Sequence, residues 1–165
     1  MKILAVTGTP GTGKTTIAKK LSLVLHYEYI SGSELIKTAK LARGYDKKRR
    51  VPIVEASLFT REVLKLAKSI AKTGKKGVIV DSHMSHFLPS KRVFACIVAS
   101  CSLKTLARRL TKRGYSASKL RENLDSEIFD ICLTEALEMG HNVVKVDTTQ
   151  KVDYKSLLKS LKIRT

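Results

Sequence analysis

Apolar positions along this chain switch repeatedly between two periods. Ile3-Leu4-Ala5-Val6, inside the opening stretch 1–7, is a short continuous apolar run of the kind that forms a strand buried on both faces. Ile17, Leu21, Val24 and Leu25 then recur at helical spacing and give one apolar stripe. His26-Tyr27-Glu28-Tyr29-Ile30 alternates and is rich in aromatics, which predicts a second strand. Ser31-Gly32-Ser33-Glu34 follows as a turn and helix cap, with Glu34 in the first turn. Over 37–50, Gly44-Tyr45 and the nearby Pro52 interrupt any long helix, so the pattern predicts a mobile helical excursion. From 52 to 72 the helical period returns, with Phe59, Val63, Leu66, Ala67 and Ile70 on one face.

The second half repeats the alternation. Val78-Ile79-Val80-Asp81 reads as an apolar strand ending in a carboxylate, and 94–99 as the next buried strand. A helix from 102 to about 111 carries Leu103, Leu106, Ala107 and Leu110, and residues 112–116 break it. A longer helix is predicted from 118 to 139, with Leu120, Leu124, Ile128, Ile131 and Ala136 as its core side. A fifth strand at 142–147 and a final basic amphipathic helix with Leu157, Leu158 and Leu161 complete the chain. Strands alternating with helices imply an α/β fold, a five-stranded parallel sheet flanked by helices with right-handed crossovers. A ligand then belongs at the carboxyl ends of the strands. No internal repeat, linker or low-complexity segment interrupts residues 1–165, which read as a single domain.

Composition adds one unusual number. Lys and Arg total 32 against 14 acids, a formal net charge of +18, more than nucleotide binding alone requires. Such an excess suggests a large polyanionic partner such as RNA, or an acidic protein surface. The alternative is a Lys-rich solvated surface of the thermophile type. Cys96, Cys101 and Cys132 show no paired spacing, so they read as buried thiols in a reducing compartment, with neither a disulfide frame nor a zinc site. The first apolar run feeds a glycine loop and is not a signal peptide, and no run approaches a membrane span. The expectation is a soluble, cytoplasmic protein.

The chemistry begins in that loop. Gly8-Thr9-Pro10-Gly11-Thr12-Gly13-Lys14-Thr15, followed by Thr16, fits the P-loop pattern G-x-x-x-x-G-K-S/T between a predicted strand and helix. A plain glycine turn is the alternative, and the full match in this context outweighs it. Gly8, Gly11 and Gly13 let the backbone approach phosphate oxygens. The loop N–H groups point at the helix N-terminus, where the macrodipole favours an anion. Lys14 would reach the β- and γ-phosphates, and the Thr15 hydroxyl would ligate Mg2+. Asp81, closing an apolar strand, has the context of the acid that holds Mg2+ beside that threonine. His83, two residues on, would emerge near the phosphates, although a loop histidine is more often structural. From Lys104 to Arg121 the chain carries seven basic residues and no acid. Arg109 and Arg113 lie four apart and share a face if the helix persists that far, and Lys112-Arg113-Gly114-Tyr115 looks like the start of a closing lid. Arginines so placed neutralise charge on a transferring phosphoryl group.

Together these segments resemble one branch of the adenylate kinases. They are Thr7 to Thr16, Val80-Asp81-Ser82-His83 with Phe87-Leu88-Pro89, Arg109-Leu110-Thr111-Lys112-Arg113-Gly114-Tyr115, and Glu122-Asn123-Leu124-Asp125-Ser126-Glu127-Ile128. The branch is the archaeal and eukaryotic family of adenylate kinase isoenzyme six. The resemblance implies a nucleoside monophosphate kinase type of P-loop NTPase fold, with a monophosphate-binding region at about 28–52 and a short lid at about 103–114. It implies ATP contacts at Gly11, Gly13, Lys14, Thr15, Thr16 and Arg113, and a functional His83. It further implies transfer of the ATP γ-phosphoryl to AMP, with dAMP and CMP as further acceptors, and an intrinsic ATPase activity. Family members are tied to maturation of the small ribosomal subunit and bind a ribosomal protein of the S-eleven type, which would set the +18 charge beside ribosomal RNA.

Two departures fall in the monophosphate region. Relatives tend to carry Gly-Asp-Leu-x-Arg where this chain has Ser33-Glu34-Leu35-Ile36-Lys37, and lysine lacks arginine's bidentate grip on phosphate. Acids common after Gly-Tyr are replaced by Lys47, Lys48, Arg49 and Arg50. The expectation is therefore an adenylate kinase with ATPase activity. The alternative is an ATP-hydrolysing ribosome-assembly factor with little kinase activity.

Overall fold

The apolar runs of the sequence become the centre of the molecule. In the computed structural model, which describes residues 1–47 and 51–163, β1 (Lys2–Thr7) lies in the middle of a five-stranded parallel sheet. Beside it are β5 (Gly77–Asp81) and β6 (Ala95–Ser100), with β2 (Glu28–Ser31) and β7 (Val143–Asp147) at the edges. The order is β2-β5-β1-β6-β7, and every pairing is parallel.

Successive residues of β1 face opposite sides, which is why the run is continuous. Ile3 and Ala5 join the core on one side of the sheet and Leu4 and Val6 the core on the other, all buried. The first side is covered by α3 (Ala56–Ala71) and α6 (Ile131–Glu138), through Phe59, Val63 and Ala136. The second is covered by α1 (Lys14–Leu25) and α7 (Tyr154–Ser160), through Ile17, Leu21 and Leu157. The sheet order reverses direction around β1, so the crevice at its carboxyl end is where a ligand fits. No helix among the described residues is long and apolar enough to cross a membrane.

α7 is held at its start by Asp153, whose carboxylate accepts from the N–H groups of Lys155 (2.9 Å) and Ser156 (3.2 Å). Asp153→Ala is expected to cost about 1 kcal/mol and to lower Tm by about 2–4 °C in a chain of this size, which a thermal melt checks.

The structure corrects several expectations. The region after 37 is not a helical excursion: α2 (Gly32–Thr38) ends with Lys40 at φ 51°, and a two-stranded antiparallel ribbon follows. That ribbon is β3 (Ala42–Asp46) and β4 (Val51–Val54), with Tyr45 opposite Pro52. Proline has no N–H for a central ladder but is tolerated in an edge strand, and the branched residues around it favour extended backbone. The helix expected from 52 therefore starts at Ala56. Lys48, Arg49 and Arg50 lie outside the described residues.

The helix expected from 118 to 139 is two helices, α5 (Ala117–Ile128) and α6, broken where Asp130 takes φ 48°. Asp tolerates that left-handed conformation better than most residues, and its carboxylate accepts a bond from Lys145 of β7 at 2.8 Å. The break turns Ile128 and Ile131 outward, 51% and 41% exposed, so neither is on a core side. The second strand also begins later than expected, because His26 closes α1 in a left-handed conformation. Of the three thiols, Cys96 and Cys101 are buried, whereas Cys132 is half-buried.

Candidate active site

The loop between β1 and α1 is held in shape by its own groups. Thr12 donates to Thr9 O through its N–H (3.2 Å) and its hydroxyl (2.8 Å). Two glycines are required by geometry. A Cβ on Gly8 would lie 2.3 Å from Ala99 O, and Gly13 at φ 97° caps α1. No side chain caps that helix and no acid sits in its first turn, so its N–H groups and the positive end of its dipole remain open to an anion.

Lys14 reaches back over this loop and donates from Nζ to Thr9 O at 2.9 Å. Burial holds its ammonium well below the usual lysine range, at about 8, with the Asp81 carboxylate partly opposing the shift. Asp81 ends β5 beside the loop. Thr15 donates to Asp81 Oδ2 at 2.6 Å, and the hydroxyl of Tyr29, from β2, donates to the same oxygen at 2.8 Å. Burial and that bond push the Tyr29 phenol above its ordinary range.

Two clefts open on either side of the loop. The first, of about 840 Å³, runs from Lys14, Thr15, Asp81 and His83 out to Lys37 of α2 and Val54 of β4. Its far wall is made by Arg113, Tyr115 and α5. The second, of about 710 Å³, is enclosed by the loop, by Arg109 and Lys112 of α4 (Leu103–Lys112), and by the segment 148–154 after β7. Gly11, Gly13, Thr16 and Arg113 line both, so the clefts meet at the mouth of the loop.

The site residues read from the sequence thus divide. Gly11, Gly13, Lys14, Thr15, Thr16, Asp81, His83 and Arg113 converge on the first cleft. His83 is exposed there, and its imidazolium is disfavoured by the cleft walls and then by the Lys14 ammonium. Arg109 is elsewhere. Its guanidinium donates to Thr148 Oγ1 (3.0 Å), Thr148 O (2.8 Å) and Gly11 O (3.3 Å), and it lines only the second cleft.

Sequence reading missed Tyr29, Thr148 and His86. Thr148 is buried and donates to Thr12 O at 2.5 Å, tying the segment after β7 to the P-loop. His86 is buried beneath the loop, 2.7 Å from Thr7 Oγ1 and 3.0 Å from Glu135 Oε2. Burial holds its imidazole neutral, with a pKa of about 4. The aromatic alternation of β2 was the one signal that pointed at Tyr29. No local pattern marks Thr148 or His86.

A resident metal cage is not what these residues build: no group of three or more His, Cys, Asp or Glu that could hold an ion occurs among the described residues. The Thr15 hydroxyl and the Asp81 carboxylate, 2.6 Å apart, are hard oxygen donors. They fit Mg2+, which is usually held by one or two protein oxygens, water and substrate phosphates.

The family described as "AAA domain" matches residues 4–130. A protein of Thermococcus gammatolerans named "Putative adenylate kinase" is 40% identical over 150 residues, covering 90% of this chain and 77% of the relative. One of the same name from Pyrococcus furiosus is 39% identical over 150 residues, covering 90% and 76%. Among solved structures, shikimate kinase from Acinetobacter baumannii superposes with a TM-score of 0.63 at 13% identity, covering 98% of this chain and 94% of that one. Deoxyadenosine kinase from M. mycoides, with bound dATP, gives 0.56 at 16% identity, covering 99% and 100%. At such identities these two share the fold alone. On the sequence matches, the chain belongs to the family described as "AAA domain" and to the adenylate kinase-like family of these archaeal relatives.

Proposed function

We propose that this protein is a nucleoside monophosphate kinase of the adenylate kinase type, moving the γ-phosphoryl of ATP to AMP, with a slower hydrolysis of ATP. The observation that carries this reading is the pair of clefts that meet at the P-loop. A kinase needs a donor and an acceptor on opposite sides of one transferring group, whereas a simple ATPase needs only the first.

In this reading the second cleft takes the adenosine of ATP, and the phosphates lie along the loop at the open N-terminus of α1. Lys14 leaves Thr9 O to reach the β- and γ-oxygens. Thr15 and Asp81 would hold Mg2+, which supplies charge neutralisation on those oxygens. Arg113, at the junction of the clefts, faces the transferring group from the lid at about 103–114. The first cleft takes the monophosphate, with Ile36, Val54, Met84 and Phe87 as apolar walls for a base and Lys37 as the cation nearest the region of about 28–52. Arg109 steadies the segment 148–154 against the loop and so shapes the donor site. A strong general base is not required, because the work is positioning and charge stabilisation. Neutral His83 is close enough to the cleft to orient an acceptor.

Purified protein with Mg-ATP, with and without AMP, tests the reading when ADP and free phosphate are both followed. ADP that forms much faster with AMP present, in large excess over free phosphate, supports the kinase. Free phosphate that matches ADP at a rate AMP does not change overturns the kinase as the main activity.

Two features favour a second reading, an ATP-driven factor in small ribosomal subunit maturation that binds an S-eleven type ribosomal protein or ribosomal RNA. The charge is +18, and Lys37 stands where a bidentate arginine would grip an acceptor phosphate. On this reading RNA or the ribosomal protein changes the ATPase rate, and RNA affinity falls steeply with salt.

A further inference from the structure

We propose that Tyr29 is a positioning residue for the magnesium–nucleotide site, acting through Asp81; the inference rests on the reading of Thr15 and Asp81 as the pair that meets the metal. Tyr29 and Asp81 are 52 residues apart in sequence, and Tyr29 lies on an edge strand that carries no part of the P-loop. Its ring is half-buried among the apolar residues between α1 and the sheet, with the Lys19 ammonium of α1 5.8 Å from its centroid. From there its hydroxyl reaches Asp81 Oδ2 at 2.8 Å, on the oxygen that also accepts from Thr15 at 2.6 Å.

The two donors differ in what happens when a substrate arrives. The Thr15 oxygen is itself a candidate metal ligand, so its geometry changes on loading. Tyr29 is not, because its hydroxyl is committed to Asp81 from the side of the sheet. It therefore fixes the rotation of the carboxylate in both states, presenting the same face of Asp81 to an ion. Groups that orient a ligating carboxylate in this way tune metal affinity without touching the metal. A buried tyrosine also needs a partner for its hydroxyl for purely structural reasons, so the test must separate the two roles.

Tyr29→Phe keeps the ring and removes only the donor. Binding of a fluorescent ATP analogue is measured in EDTA and then over a Mg2+ titration, alongside a thermal melt. The expected result is an affinity in EDTA within about twofold of wild type and a half-saturating Mg2+ concentration raised about tenfold. A half-saturation equal to wild type, in a protein whose own binding responds to Mg2+, overturns the role of Tyr29 and leaves the proposed function standing. A lower melting temperature without any shift in the Mg2+ titration overturns it too, by assigning the hydroxyl a structural role. Wild-type binding indifferent to Mg2+ would overturn both the role and the metal reading beneath it. Tyr29→Leu, which removes ring and hydroxyl together, is expected to give the same Mg2+ shift with a lower melting temperature.

Discussion

Lys14→Met is expected to lower ATP turnover by about 100-fold or more, the usual cost of deleting a preorganised group that faces developing charge. The folded protein tolerates the change, because Lys14 gives up only its bond to Thr9 O and a buried ammonium disappears with it. The same residue sets a pH dependence. Its pKa of about 8 in the free protein rises when phosphates surround it, so nucleotide binding takes up a proton at alkaline pH. ATP affinity should therefore be flat below pH 8 and weaken as pH rises above it. Stability moves the other way. Between about 8 and the unfolded value of 10.5 the unfolded chain binds more protons at this site, so the penalty for burying a charged Lys14 fades as pH rises. Nucleotide titrations from pH 7 to 9.5 on wild type and Lys14→Met check the affinity, whose alkaline loss should be absent in the variant, and thermal melts over the same range check the stability.

Asp81→Asn is expected to cost about 100-fold in turnover at saturating ATP, through the metal end of the site. Asparagine keeps the shape of the side chain and an oxygen that can accept from Tyr29 and Thr15, so the fold of β5 should survive. What it removes is negative charge. Because the Asp81 carboxylate is the leading influence that raises the Lys14 pKa against burial, the alkaline loss of ATP affinity should begin at lower pH in this variant. An unchanged pH profile would mean that the two groups are not electrostatically coupled as their positions require. Steady-state kinetics over a Mg2+ series, with binding measured in parallel, separate the turnover loss from a loss of affinity.

Much of this molecule was legible in its sequence because the signals are local. Ile3-Leu4-Ala5-Val6 and Val78-Ile79-Val80 are continuous apolar runs, and they are the strands covered on both faces. The glycine-lysine-threonine loop stood out because phosphate recognition by backbone requires those residues at that spacing. The ribbon of β3 and β4 was not legible, since proline and glycine signal interruption without saying what replaces a helix. Nor was the break in the helix after α5: the residues on either side keep helical spacing, and a tertiary bond from Lys145 accompanies the left-handed turn at Asp130.

By itself, then, the sequence determined the layered α/β order, the phosphate loop, and the strand-end carboxylate at Asp81, all set by backbone periodicity and short-range conformational preference. Only the tertiary structure decided which side chains from separate elements meet. It turned Arg109 onto Thr148 while leaving Arg113 at the junction of the clefts, although the two sit one helical turn apart. It also brought the Tyr29 hydroxyl onto Asp81 across the sheet. The physical reason is that spacing fixes the face a residue occupies, whereas the partner it finds there depends on the packing of elements distant in the chain.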